Sequence, residues 1–309
     1  MKTLTESINI NNSKQNILTI YSNIDNPILL IVHGGAGSPD RPLVLKHNIE
    51  LANYYTLICW DQRGSGLSYS KDELSIDMLL NDLKSLVEYL IRKYNQDKIY
   101  IAGHSWGAYL GLRFVSMYPK NVKYYIGTSQ GVSSLVDEIY KYNFVKKEAV
   151  KRNDSKVVLQ LNNFGEPKGY TYQTQDREAK NFISKMVHKY GGYISNNSSL
   201  NPNSFFLLYL KCYKNNIIDV LKGMLKSSSV LNKEMNKEDK ISCITSIEVP
   251  VLLISGEDDY VCPVEATQDW FDKLSAPSKR FEKIKNAAHM VNFEQPKEWN
   301  KLLISILEL

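Results

Sequence analysis

This sequence predicts an α/β fold: a mainly parallel sheet with helices on both faces and an inserted helical cap. Three observations predict it. Short apolar runs alternate with helix-period segments from about residue 28 to 131 and again from 249 to 307. Gly103-His104-Ser105-Trp106-Gly107 lies between a strand-like run and a helix-like run. Between 132 and about 240 the alternation stops and lysine-, asparagine- and tyrosine-rich helical stretches take over. The alternation then resumes, so that segment reads as a cap set into one core made of 1–131 and 241–309.

The elements follow in order. Residues 7–21 alternate around Asn11-Asn12-Ser13-Lys14, a hairpin pattern whose second strand is Ile17–Tyr21. Ile28–Val32 is wholly aliphatic, which suits a strand buried on both faces. It runs into His33-Gly34-Gly35-Ala36-Gly37, and Pro42–Asn53 then reads as a helix. A strand over 55–60 ends in Asp61-Gln62-Arg63-Gly64-Ser65-Gly66, where Asp61 and Arg63 are expected to hold the turn as an ion pair. Ile76, Leu79, Leu80, Leu83, Val87 and Leu90 share one helix face. Strands over 98–102 and 122–127 flank a helix that stops near Pro119. The cap reads as helices over 136–152, 176–190, 204–214 and 218–225. The last α/β pairs are a strand at 249–255, a helix at 264–274, a strand at 280–284 and a helix at 296–307.

Composition excludes several functions. The net charge is +5, but the lysines are scattered and no basic run is interleaved with aromatics, so nucleic-acid binding is not expected. Cys59, Cys212, Cys243 and Cys262 have neither zinc nor disulfide-framework spacing, so free thiols are expected, with no metal and no organic cofactor. The N-terminal residues are polar, and no apolar run reaches the roughly 18 residues of a membrane span. A cytoplasmic protein without membrane contact is the expectation.

Strand, tight turn and helix around Ser105 suit a nucleophile presented above a helix N-terminus, whose free N–H groups favour an oxyanion. Serine needs a base. Of five histidines, His47 and His188 fall within helices, His104 lies inside the turn with its side chain pointing away, and His33 is placed to brace its glycine loop. His289, on the loop after the last strand, is the candidate base. A carboxylate must orient it, and Glu257-Asp258-Asp259 follows the strand at 249–255.

Taken together, these motifs resemble the α/β-hydrolase superfamily over nearly the whole chain. Gly256-x-x-Asp259 followed by Pro263 matches its acid loop, which favours Asp259 over Asp258, and His289 with Glu294 and Pro296 matches its histidine loop. The segments at 33–37, 60–66 and 103–107 look like the proline iminopeptidase branch, although that branch usually has proline where Ala36 stands. The resemblance implies an oxyanion hole from the backbone N–H groups of Gly35 and Trp106. It also implies that cap glutamates bind the substrate's amino group, in some members with an acid just after the aspartate, where this chain has Tyr260. Glu138, Glu166, Glu234 and Glu238 are the cap candidates, and Tyr140, Tyr142, Phe144, Phe164, Tyr170, Tyr172, Phe205 and Phe206 are candidates to line the pocket. The expected function is a serine hydrolase with a Ser105-His289-Asp259 triad, acting on a short peptide as an aminopeptidase. The rivals are a carboxylesterase or lactonase for a bulky small-molecule ester of xenobiotic or antibiotic type, and a non-catalytic binding protein on the same fold.

Overall fold

The computed structural model describes residues 1–132, 134–168, 171–172, 174–235, 237 and 241–308. Glu238 and Tyr170, two of the candidates above, lie outside them. Strands β1 (Lys2–Ile10) and β2 (Ser13–Tyr21) form an antiparallel hairpin. Its two-residue turn is Asn11-Asn12, at φ 47° and 60°, the left-handed pair that matches the twist of the strands. Then come β3 (Ile28–Val32), helix α1 (Arg41–His47), β4 (Thr56–Asp61), α2 (Ile76–Tyr94), β5 (Ile99–His104), α3 (Trp106–Met117) and β6 (Val122–Thr128). Five helices follow: α4 (Ser134–Lys151), α5 (Ser155–Phe164), α6 (Asp176–Tyr190), α7 (Asn203–Tyr213) and α8 (Ile217–Met235). The chain closes with β7 (Val251–Gly256), α9 (Val264–Lys273), β8 (Lys279–Ile284), α10 (Val291–Glu294) and α11 (Pro296–Ser305).

The strands make one sheet in the order β1-β2-β4-β3-β5-β6-β7-β8, parallel from β4 to β8. Its faces feed two cores. Ile28, Leu30 and Val32 of β3 pack with Leu79, Leu83 and Leu86 of α2 and Leu110 and Phe114 of α3. Leu29 and Ile31 join Leu43 and Val44 of α1 and Trp299 and Leu303 of α11 on the other face. Helices α4–α6 build a third cluster of their own around Val145, Leu161, Phe164, Ile183 and Val187. Because the parallel strands share a direction, the loops after β3, β5, β6, β7 and β8 all emerge at the carboxyl edge, where open α/β sheets bind ligands.

Three expectations need correction. The predicted helix over 42–53 breaks at Asn48, whose amide donates to the Asn292 carbonyl (2.9 Å) and the Asn300 side chain (3.0 Å), and it continues as a 3₁₀ turn over Ile49–Asn53. Helix α5 went unpredicted, although Asp154 caps it and Val157, Leu161 and Phe164 mark its buried face. Asp61 and Arg63 do not pair with each other. Asp61 turns in under Gly66, accepts the Leu67 N–H (2.9 Å) and pairs with Arg41 at 3.3 Å. Arg63 turns out and forks onto Asp82 of α2 at 2.7 and 2.8 Å.

The Arg63–Asp82 pair is almost wholly buried, with side chains 6% and 0% exposed. Removing one partner strands the other, so Asp82→Ala is expected to cost about 3–5 kcal/mol. Urea unfolding measures this, and a loss under about 1 kcal/mol would mean that the pair behaves like an exposed one.

Candidate active site

The turn between β5 and α3 sets the geometry. Ser105 sits at φ 52° and ψ −112°, a conformation that side chains rarely adopt, and its N–H donates to the Thr128 carbonyl at 2.9 Å. The glycines on either side are required by close packing. A Cβ on Gly107 would come 1.9 Å from the Val32 carbonyl oxygen, and one on Gly103 would come 2.3 Å from the Gly107 carbonyl oxygen.

His289 and Asp259 arrive from other loops. Ser105 Oγ lies 2.9 Å from His289 Nε2, and His289 Nδ1 lies 3.0 and 3.2 Å from the two Asp259 oxygens. Asp259 Oδ1 also accepts the N–H groups of Val261 and Cys262, both at 2.9 Å. Asp258 is engaged elsewhere, accepting the Ser195 hydroxyl at 2.7 Å. Such a chain can draw the proton from Ser105 and stabilise the imidazolium that forms. The N–H groups of Gly35 and Trp106 meet no acceptor within hydrogen-bonding distance among the described residues, as donors reserved for an oxyanion would.

Several supporting residues went unread in the sequence. Glu294 was noted only as part of a motif. Its carboxylate accepts the N–H groups of Ala288 (2.9 Å), Met290 (3.1 Å) and Ser195 (2.8 Å), which shapes the histidine loop. Burial raises its pKa, and the backbone donors only partly offset this. Gln62 joins two loops: its amide donates to the His33 carbonyl (3.1 Å) and accepts the Trp106 indole N–H (3.0 Å). Tyr193, between α6 and α7, accepts the His289 backbone N–H at 3.1 Å. Polar loop residues of this kind carry no periodic signal, because their partners are distant in sequence.

A cavity of about 280 Å³ opens above Ser105, just below the usual ligand range. Phe205, Phe206, Tyr209, Leu221 and Met224 supply much of its wall. Of the predicted lining aromatics, Phe205 and Phe206 are there. Tyr142, Phe164 and Tyr172 pack inside α4–α6, and Phe144 stacks on Tyr260 at 3.9 Å. Tyr260 is not among the lining residues. The described cap glutamates do not reach the cavity either. Glu138 is buried against Tyr172 and Lys141, at 3.1 Å from each. Glu166 lies on the surface beside Lys146, and Glu234 accepts the Ile76 N–H at the start of α2 (3.1 Å). Among the described residues no cluster of histidine, cysteine or carboxylate groups is arranged to hold a metal ion, and no helix is long and apolar enough to cross a membrane.

The chain belongs to the alpha/beta hydrolase fold family, whose profile matches residues 27–296. Among its relatives is the probable aminopeptidase YbaC of Bacillus subtilis (strain 168), 29% identical over 95% of this chain and 92% of that protein. A proline iminopeptidase of Heyndrickxia coagulans is 27% identical over 88% of this chain and 87% of its own. The crystal structure of the Mycobacterium smegmatis proline iminopeptidase superposes with a TM-score of 0.69 at 15% identity, covering 99% and 98% of the two chains. The likeness is thus to the proline iminopeptidase branch.

His33 heads the glycine loop and is fully enclosed, its Nε2 lying 3.0 Å from Ser65 Oγ. Burial holds its imidazole below the ordinary histidine range, despite the nearby Asp40 and Asp61. As pH falls, the unfolded chain takes up this proton before the folded one, so His33 removes stability below about pH 6.5. His104 acts in the opposite sense. Burial opposes its charge, but Asp40 outweighs burial and raises its pKa, adding stability that is lost as pH rises through the folded value. His33→Gln is therefore expected to lose less melting temperature than the parent between pH 7 and pH 5. Equal losses would assign the acid sensitivity to other groups.

Proposed function

We propose that the protein is a serine hydrolase that works through an acyl-enzyme and acts as an aminopeptidase of the proline iminopeptidase type. The observation that carries this reading is the hydrogen-bonded chain from Ser105 through His289 to Asp259 at the floor of the cavity. His289 takes the Ser105 proton as Oγ attacks the carbonyl carbon. The oxyanion is received by the N–H groups of Gly35 and Trp106. His289 then gives its proton to the leaving amine, and a water activated by the same imidazole releases the acyl group from Ser105. Residues 132–240 act as a cap that screens the cavity, and 1–131 with 241–309 form the core. Names of relatives at 29% and 27% identity support peptide substrates. Cys59, Cys212 and Cys262, which form no disulfide, support a reducing, cytoplasmic setting.

Ester cleavage is the second reading, favoured by the largely aromatic and aliphatic wall and by the absence of Glu138, Glu166, Glu234 and Tyr260 from the lining. A panel of aminoacyl arylamides and chromogenic esters separates the two.

Ser105→Ala is expected to abolish both turnover and fluorophosphonate labelling while leaving the melting temperature nearly unchanged. Persistent labelling would move the nucleophile elsewhere, and a parent protein that neither labels nor turns over would favour a binding role. Asp259→Asn is expected to lower kcat by about 10⁴, through the wrong imidazole tautomer. Asp258→Asn should cost far less, and the reverse ranking would reassign the acid.

A further inference from the structure

An aminopeptidase must hold a cation a fixed distance from the scissile carbonyl. In a partly buried pocket that ammonium needs a carboxylate, since leaving a buried charge unpaired costs several kcal/mol. The described cap glutamates do not supply one. Among the described residues lining the cavity, Asp40 alone carries a carboxylate.

Asp40 belongs to the loop between β3 and α1 and is 5% exposed. Its carboxylate is only half used. Oδ2 accepts the Gly34 N–H at 3.3 Å, and Oδ1 has no hydrogen-bond partner among the described residues. The adjacent Arg41 does not neutralise it, because that guanidinium is spent on Asp61 (3.3 Å) and the Asn16 side chain (2.7 Å). The other nearby cation-forming group is His104, whose Nδ1 stands 3.7 Å from Asp40 Oδ2 without a hydrogen bond. His104 Nε2 donates to the His289 carbonyl at 2.9 Å, so only the imidazolium, whose pKa Asp40 raises, turns a charge toward Asp40; the neutral ring presents a lone pair. Oδ1 is not sealed from solvent, so it is the oxygen open to the cavity that Asp40 lines. Asp40 lines the same cavity as Gly35, the proposed oxyanion donor, and Ser105, the proposed nucleophile.

We propose that Asp40 receives the α-ammonium group of the substrate, in place of a cap glutamate, and so restricts the enzyme to substrates with a free amino terminus. This rests on the aminopeptidase reading above. The amine binds as its cation, and no bond to it is made or broken.

The test compares kcat/KM for prolyl-arylamide and its N-acetyl derivative in the parent and in Asp40→Asn. The parent should prefer the free amine by about 30-fold or more, the scale set by stranding one partner of a buried pair. In Asp40→Asn that preference should collapse toward unity, chiefly through KM, whatever loss the two substrates share. Asp40→Glu, which keeps the charge, should restore part of it. If Asp40→Asn does not fold, Asp40→Ser, a smaller side chain that still accepts from Gly34, carries the same comparison. A parent that prefers the free amine beside variants that keep the full preference would overturn the role of Asp40 and leave the aminopeptidase reading standing. A parent that turns over chromogenic esters but shows no preference for the free amine would overturn both.

Discussion

The site depends on one steric fact: the backbone of the β5–α3 turn lies directly against the end of β3. No side chain fits at Gly107, where the Val32 carbonyl already occupies the space. Val32 pairs with Gly103 in the parallel register, so the strands reach the edge together and their following loops must touch. Ser105 is thereby set beside the glycine loop that carries Gly35. Gln62, from the loop after β4, bonds to both partners and so fixes the third loop to the first two. A strained serine is tolerated because the helix behind it and the strands beside it leave no relaxed alternative.

His289 is held in another way, through its backbone. Its N–H donates to the Tyr193 carbonyl, and its own carbonyl accepts from His104 Nε2 and Ser129 Oγ, both at 2.9 Å. The segment between α6 and α7 is tied to the same region by Ser195, through Glu294 and Asp258. The helices inserted between β6 and β7 are therefore coupled to the histidine and acid loops. Movement of that segment would be felt at the imidazole.

What the sequence made legible follows from how local each signal is. The aliphatic run at β3, the Asn11-Asn12 turn and the face of α2 are written in consecutive residues, and they appear in the structure. That Ser105, His289 and Asp259 come together was readable because each lies in the loop after a strand that emerges at one edge. The Asp61–Arg63 expectation failed because proximity in sequence is a poor guide inside a turn. Two side chains separated by one residue pointed to opposite sides, one under Gly66 and one onto α2. The pocket wall was half legible. Aromatic content announced an apolar cluster, but which rings face the cavity depends on how α4–α6 pack on one another, and their own core takes Tyr142, Phe164 and Tyr172. Asp40 gave no signal at all, being a lone acid in a loop of small residues.

Three buried carboxylates surround this site, and their degree of saturation separates their work. Glu294 receives three backbone N–H groups, one on Oε2 and two on Oε1, which is the pattern of a loop scaffold. Asp259 receives two backbone N–H groups and faces the His289 imidazole, which fixes it against that ring. Asp40 receives a single long bond from Gly34, on Oδ2. Its Oδ1 is not sealed from solvent, so the acceptor sites that the chain leaves unfilled face the cavity. Of its neighbours, Arg41 is paired with Asp61, and His104 turns a charge toward Asp40 only as the imidazolium that Asp40 favours. Of the three, Asp40 is thus the one whose carboxylate lines the cavity above Ser105 with an oxygen left open to it.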